Sequence, residues 1–275
     1  MKRILTAVVL IPVVLCLVFV APYWLFSLIT AVVAALAGWE CMGLAAHTGL
    51  HPPRVAVLIA ILALFAGAFE YPDRTAILFG LLSILLLVYC TFSRTPDRVM
   101  ADATASVFCL FYTGATLLAL PALREESNGP SVLLFLFCVV WAGDIAALYV
   151  GRYWGRRKLA PALSPRKTWA GSVGSLIASV VIAGALIGAA YLLETRWNSV
   201  VLSYPDEIWY WMVLAVIVNI AAQIGDLAES ALKRSAGVKD SGGLLPGHGG
   251  MLDRIDALLI AAPVLWYAQV IRQMF

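Results

Sequence analysis

Five polar residues in one apolar stretch, Asn219, Gln223, Asp226, Ser230 and Lys233, are spaced four, three, four and three apart. That spacing puts all five on one face of a helix. A carboxylate set among apolar residues is costly unless it faces water, a cation or a partner, so the stripe reads as the wall of a wet cleft. The segment that follows, residues 233–254, holds six glycines, at 237, 242, 243, 247, 249 and 250, together with Lys233, Arg234, Lys239 and Arg254. Glycines allow close backbone approach, and exposed N–H groups with cations favour an anion. Asp253 and Asp256, one turn apart, open the last apolar run on a common face. Carboxylates beside cations and glycines suit a hydrated Mg²⁺ that bridges phosphates.

A second set lies upstream. Asp144 stands eight residues before Arg152, as Asp226 does before Arg234, and both are preceded by glycine. Eight helical residues rise about 12 Å, which places each carboxylate two turns below a surface arginine. The segment after Asp144 carries Ser164, Pro165, Arg166, Lys167 and Thr168. Taken alone, it suits either membrane anchoring or headgroup contact. Three acidic residues thus stand out within apolar runs: Asp144, Asp226 and Glu40. For Glu40, an interhelical hydrogen bond and a functional role are equally open.

The elements that must hold these groups follow from composition. Of 275 residues, 62% are apolar and 13% charged, and the mean hydropathy is +0.91. An ordinary soluble domain is about one quarter charged, so a soluble enzyme, a disordered chain and a nucleic-acid binder with a basic face are excluded. Nine apolar segments are expected to be membrane helices: 4–22, 24–46, 55–70, 76–92, 103–122, 131–150, 172–193, 208–232 and 255–274. The expected fold is all-α, a polytopic integral membrane protein of about nine spans. Residues 1–130 supply N-terminal helices, and 131–275 supply a catalytic region with loops 151–171 and 233–254. The first run, 17 residues from Ile4 to Val20, reads as a retained span rather than a secretory signal. With the N-terminus in the cytoplasm, all but Arg74, Arg124, Arg196 and Arg272 of the 19 Lys and Arg residues fall on the cytoplasmic side. Both long loops then face the cytoplasm. The five cysteines all lie in apolar runs and read as small apolar residues.

The run from Ser230 through Leu232-Lys233-Arg234, Lys239-Asp240, Gly242 and Leu245-Pro246 to His248-Gly249-Gly250-Met251 and Asp253-Arg254-Ile255-Asp256 resembles the signature of the phosphatidate cytidylyltransferases. Asp144, Gly151-Arg152 and Ser164-Pro165 with Lys167-Thr168 resemble that family too. The likeness covers the C-terminal half, and Ala170 departs from it where the family usually has Glu or Gln. The resemblance implies transfer of CMP from CTP to phosphatidate at the inner (cytoplasmic) membrane. It implies Asp226, Asp253, Asp256 and Asp144 as metal ligands, with Mg²⁺ and a second metal ion as cofactors. Lys233, Arg234, Lys239 and Arg254 would neutralise phosphates, while Ser164, Lys167 and Thr168 would contact one substrate. His248 would donate to pyrophosphate or order the loop, and the chain would work as a homodimer in the bilayer without nucleic acid. A CTP-dependent lipid-alcohol kinase and an ion-coupled transporter are the rival expectations.

Overall fold

The computed structural model describes residues 2–205, 207–243 and 249–274. Helices make up 79% of it, in agreement with the all-α expectation. In chain order they are α1 (Lys2–Phe19), α2 (Tyr23–His47), α3 (Arg54–Glu70), α4 (Thr75–Ser93) and α5 (Pro96–Cys109). A π-helical turn, Leu110–Ala115, leads from α5 towards α6 (Ala119–Glu125) and α7 (Gly129–Trp154). Next come a hairpin of β1 (Lys158–Ala160) and β2 (Ser164–Thr168), then α8 (Trp169–Trp197) and α9 (Ile208–Ser235). The last two are α10 (Leu252–Ile255) and α11 (Leu258–Gln273). The nine apolar segments lie largely on helices, 103–122 being broken at 116–118 and 255–274 at 256–257. Among the described residues, six helices are long and apolar enough to cross a membrane, and Leu258–Arg272 is a shorter apolar one.

Prolines and caps set the ends. Pro22 and Pro53 precede α2 and α3, and proline occupies the first turn of α5 and α7. There a missing N–H costs nothing. Asn198 closes α8 in the left-handed conformation at φ 48°, which asparagine tolerates better than most residues. The apolar faces are not all used inside the protein: the span containing α4 has a hydropathy of 2.3 with 11% of its residues buried. Such a face needs lipid as its solvent.

The chain divides into two compact units. The first comprises Met1–Ala21, Ala122–Ala228 and Ile260–Phe275, and so contains α7, the hairpin, α8 and most of α9. The second comprises Pro22–Pro121 and Glu229–Leu259.

The hairpin is a departure from the expected loop at 151–171. Helix α7 runs one turn past residue 150 to Trp154, and β1 pairs antiparallel with β2, Lys158 opposite Thr168 and Ala160 opposite Ser164. The register shifts between those pairs. Such a bulge takes up the extra residues of β2, where Pro165 has no N–H to offer the ladder.

Candidate functional site

In the first unit, the polar stripe divides into two parts. Asn219 donates from Nδ2 to the hydroxyls of Ser175 and Ser179, each at 2.8 Å, and Ser179 donates to the Val139 carbonyl at 2.8 Å. Gln223 accepts from Ser172 at 2.5 Å and donates to Asn219 Oδ1 at 2.6 Å. This part of the stripe fastens α9 to α8, an interhelical use of polar groups suited to lipid surroundings. Gly143 of α7 lies against it, and a Cβ there would stand 2.4 Å from Asn219 Nδ2. The glycine before Asp144 is therefore what lets α7 approach the ladder.

One turn along α9, packing gives way to charge. Lys167 Nζ lies 2.6 Å from Asp226 Oδ2, with the two side chains 24% and 35% exposed. Lys167 is delivered by β2, whose last residue, Thr168, is buried and caps α8 by accepting the Gly171 amide at 3.1 Å. Thr168 thus fixes the turn from strand to helix, directly beside the lysine. Asp144 is exposed on α7 and lies close enough to Asp226 and Lys167 for their charges to interact. Ser164 sits at the start of β2, opposite Ala160.

The second unit holds another carboxylate–lysine set. Lys233 Nζ lies 2.6 Å from Asp253 Oδ1 and also pairs with Glu229. Asp253 Oδ2 accepts from the Ser241 amide at 3.0 Å, the Ser241 hydroxyl at 2.9 Å and the Gly250 amide at 2.8 Å. Burial pushes the Asp253 carboxyl up, but the Lys233 ammonium and the Gly250 and Ser241 amides outweigh it and hold it at about 2, against an ordinary 3.8. Because the folded value is the lower one, this stabilisation is complete above the ordinary carboxylate range and is lost as pH falls towards 2.

The remaining expected residues lie around this loop. Arg234 donates to the Val238 carbonyl at 3.0 Å, and Lys239 is exposed on a bend. Arg254 is exposed on α10, and Asp256 accepts the Ala257 amide at 2.8 Å. His248 falls outside the described residues.

Glu229 and Ser241 were not among the residues the sequence singled out. Glu229 is fully buried and stands four residues before Lys233, a spacing that signals an ion pair along a helix. Ser241 has no such local signal, since its partners lie at 253 and at Glu40. Glu40, left open above, is hydrogen-bonded to the loop rather than to a neighbouring span.

The described residues contain no cluster of three His, Cys, Asp or Glu side chains arranged for a metal ion. Carboxylates in twos are present: Asp144 with Asp226, and Glu229 with Asp253 about one lysine. Such sparse sets fit Mg²⁺, which keeps several waters and takes further ligands from substrate phosphates rather than from an all-protein cage.

Known proteins share much of this sequence. The chain is 32% identical, over 97% of both chains, to a protein from Haemophilus influenzae named phosphatidate cytidylyltransferase. A protein of that name from Synechocystis is 31% identical over 98% of this chain and 96% of its own. One from Brucella suis, also of that name, is 48% identical over 158 residues, which is 57% of this chain and 54% of that relative. The matched stretch thus spans about half the length of the Brucella protein. The sequence profile of the cytidylyltransferase family matches residues 1–271, and with that match running nearly from end to end the chain belongs to the cytidylyltransferase family.

Proposed function

We propose that the protein transfers CMP from CTP to phosphatidate, giving CDP-diacylglycerol and pyrophosphate, at the cytoplasmic face of the inner membrane. The observation that carries this reading is the pairing of carboxylate with lysine in both sets, Asp226 with Lys167 and Asp253 with Lys233. A phosphate oxygen of phosphatidate is already ionised at neutral pH. It attacks the α-phosphorus, the bond from that phosphorus to the β-bridging oxygen breaks, and pyrophosphate leaves with the electron pair. No proton has to move, so no strong general base is needed. The difficulty is bringing two polyanions together and stabilising charge on the leaving group, a task for cations and backbone amides.

Asp226, Asp253, Asp144 and Asp256 are the residues proposed to hold Mg²⁺ and a second metal ion. Bound metal supplies electrostatic neutralisation of the phosphates. Lys167 and Lys233 stand beside two of those carboxylates and offer their ammonium groups to phosphate oxygens. Arg234, Lys239 and Arg254 add exposed positive charge, Ser164 a hydroxyl on the same strand as Lys167, and His248 a donor to pyrophosphate.

The destination of the label tests the reaction. With CTP labelled at the α-phosphorus and phosphatidate in detergent micelles, label is expected in the organic phase, while γ-label remains in water as pyrophosphate. Label reaching lipid only from the γ-position would mean a lipid kinase and overturn the reading. The membrane face has its own test, in a background without native cysteines. Ser164→Cys and Gly243→Cys are expected to be labelled from the cytoplasmic side, and a cysteine at 275 from the other. Labelling of either loop from outside would refute the shared orientation.

A further inference from the structure

Glu40 belongs to α2, far in sequence from every residue given a chemical role above. It is 3% exposed. Its Oε2 accepts the Leu252 amide at 2.8 Å and the Ser241 hydroxyl at 3.1 Å, partners 212 and 201 residues away. The same hydroxyl lies 2.9 Å from Asp253 Oδ2. Ser241 therefore stands between the two carboxylates, its single hydrogen available to one of them at a time.

The backbone on either side of Ser241 and Asp253 is shaped around Glu40. A Cβ at Gly242 would stand 2.4 Å from Glu40 Oε1, and one at Gly250 would stand 2.2 Å from Oε2. Neither position leaves room for a side chain while the carboxylate is there. Gly243, by contrast, faces open space. The described residues give Glu40 no Lys or Arg partner, so what compensates its burial is hydrogen bonding to the loop. Through Ser241 and the Leu252 amide it grips two arms, residues 241–243 and residues 249–253. Asp253 receives its own backbone bonds from the same two arms, at Ser241 and Gly250.

We propose that Glu40 is a positioning residue for the reaction: it holds residues 241–243 and 249–253 in the arrangement that places the Asp253 carboxylate. This rests on the reading of Asp253 as a metal-binding residue. The inference brings an N-terminal span into the working of the C-terminal signature loop, and it assigns the glycines at 242 and 250 to a carboxylate as well as to an anion.

The test uses the full-length protein purified in detergent. Residues that orient a metal ligand typically change metal affinity by about 10- to 100-fold. Glu40→Ala is therefore expected to raise the Mg²⁺ concentration for half-maximal turnover by about 10-fold or more. The phosphatidate KM should stay within about twofold, since the loss lies at the metal ligand rather than in uniform substrate binding. Mn²⁺ binding, followed by electron paramagnetic resonance without substrates, should weaken by a similar factor. Glu40→Gln keeps an oxygen for the Leu252 amide and should recover most of the loss. A folded Glu40→Ala protein with parental Mg²⁺ and Mn²⁺ dependence would overturn the proposal. If Glu40→Ala does not accumulate, Ser241→Ala decides: it removes the shared hydroxyl, and an unchanged Mg²⁺ requirement would overturn the proposal equally. A failure of the metal reading is distinguishable. In that case Asp253→Asn would bind Mn²⁺ normally, while Glu40→Ala would still speed labelling of a cysteine at Gly243.

Discussion

Asp226→Asn is expected to cut turnover on the order of 10³-fold while the protein still folds and inserts, comparable to removing one charge-stabilising group from a preorganised site. The carboxylate is 35% exposed and its ion pair with Lys167 is partly solvated. Pairs of that kind contribute about 1 kcal/mol or less to stability. The packing that holds α9 is carried by Asn219 and Gln223, which the substitution leaves intact. What asparagine removes is the negative charge that a cation needs. The measurement is CDP-diacylglycerol formation in micelles at saturating CTP, with circular dichroism and elution volume as controls for folding. Turnover within about 10-fold of the parent at low Mg²⁺ would show that Asp226 is not a metal ligand, since orienting groups alone already account for that much.

Asp253→Asn should differ in kind. Its side chain is 11% exposed, Lys233 is 12% exposed and Glu229 is fully buried. Lys233 keeps its pair with Glu229, so the cost falls on the Ser241 and Gly250 donors, for which losing a charged acceptor is worth about 1.5–3 kcal/mol. Asparagine would also turn an amide towards either Lys233 or the Ser241 and Gly250 donors. Activity is expected to fall as far as in Asp226→Asn, and thermal stability to fall with it. Lys233→Met added to Asp253→Asn should lower stability further, because it leaves the buried Glu229 without its cation, and should restore none of the activity. Melting curves in detergent for the two singles and the double decide this. Unchanged stability of Asp253→Asn would show that the loop is held by something other than this carboxylate.

The helices were legible because lipid imposes a length and a composition on each of them, and because prolines and caps mark their ends. Asp226 was legible for a related reason: a polar group recurring at helical spacing in an apolar run has few explanations. The hairpin was not legible. Residues 158–168 carry two prolines and three cations, and a strand of three residues leaves no alternation to detect. Glu229 escaped notice because it lies beside the regular stripe and its partner Lys233 had already been counted within it. Glu40 could be seen as unusual, but its contact with Ser241 spans 201 residues, and no local periodicity carries information over such a distance. Nor did the spacing of the stripe reveal that Asn219 and Gln223 are committed to the serines of α8, since those lie on another helix.

The small hairpin changes the thermodynamics of whatever anion Lys167 meets. Ordering one residue of a flexible loop costs about 1–2 kcal/mol of backbone entropy, and a chain that captured phosphate with such a loop would bear that cost at each encounter. Lys167 lies on a strand already paired with β1 on both sides of it, at Ser164 and Thr168, and tied at its end by the Thr168 cap. Its backbone freedom is surrendered once, when the chain folds. Only the side chain's rotamers are left to be ordered on binding, so affinity at this position should depend weakly on temperature-driven loosening of the segment and strongly on the charge it competes for, the Asp226 carboxylate.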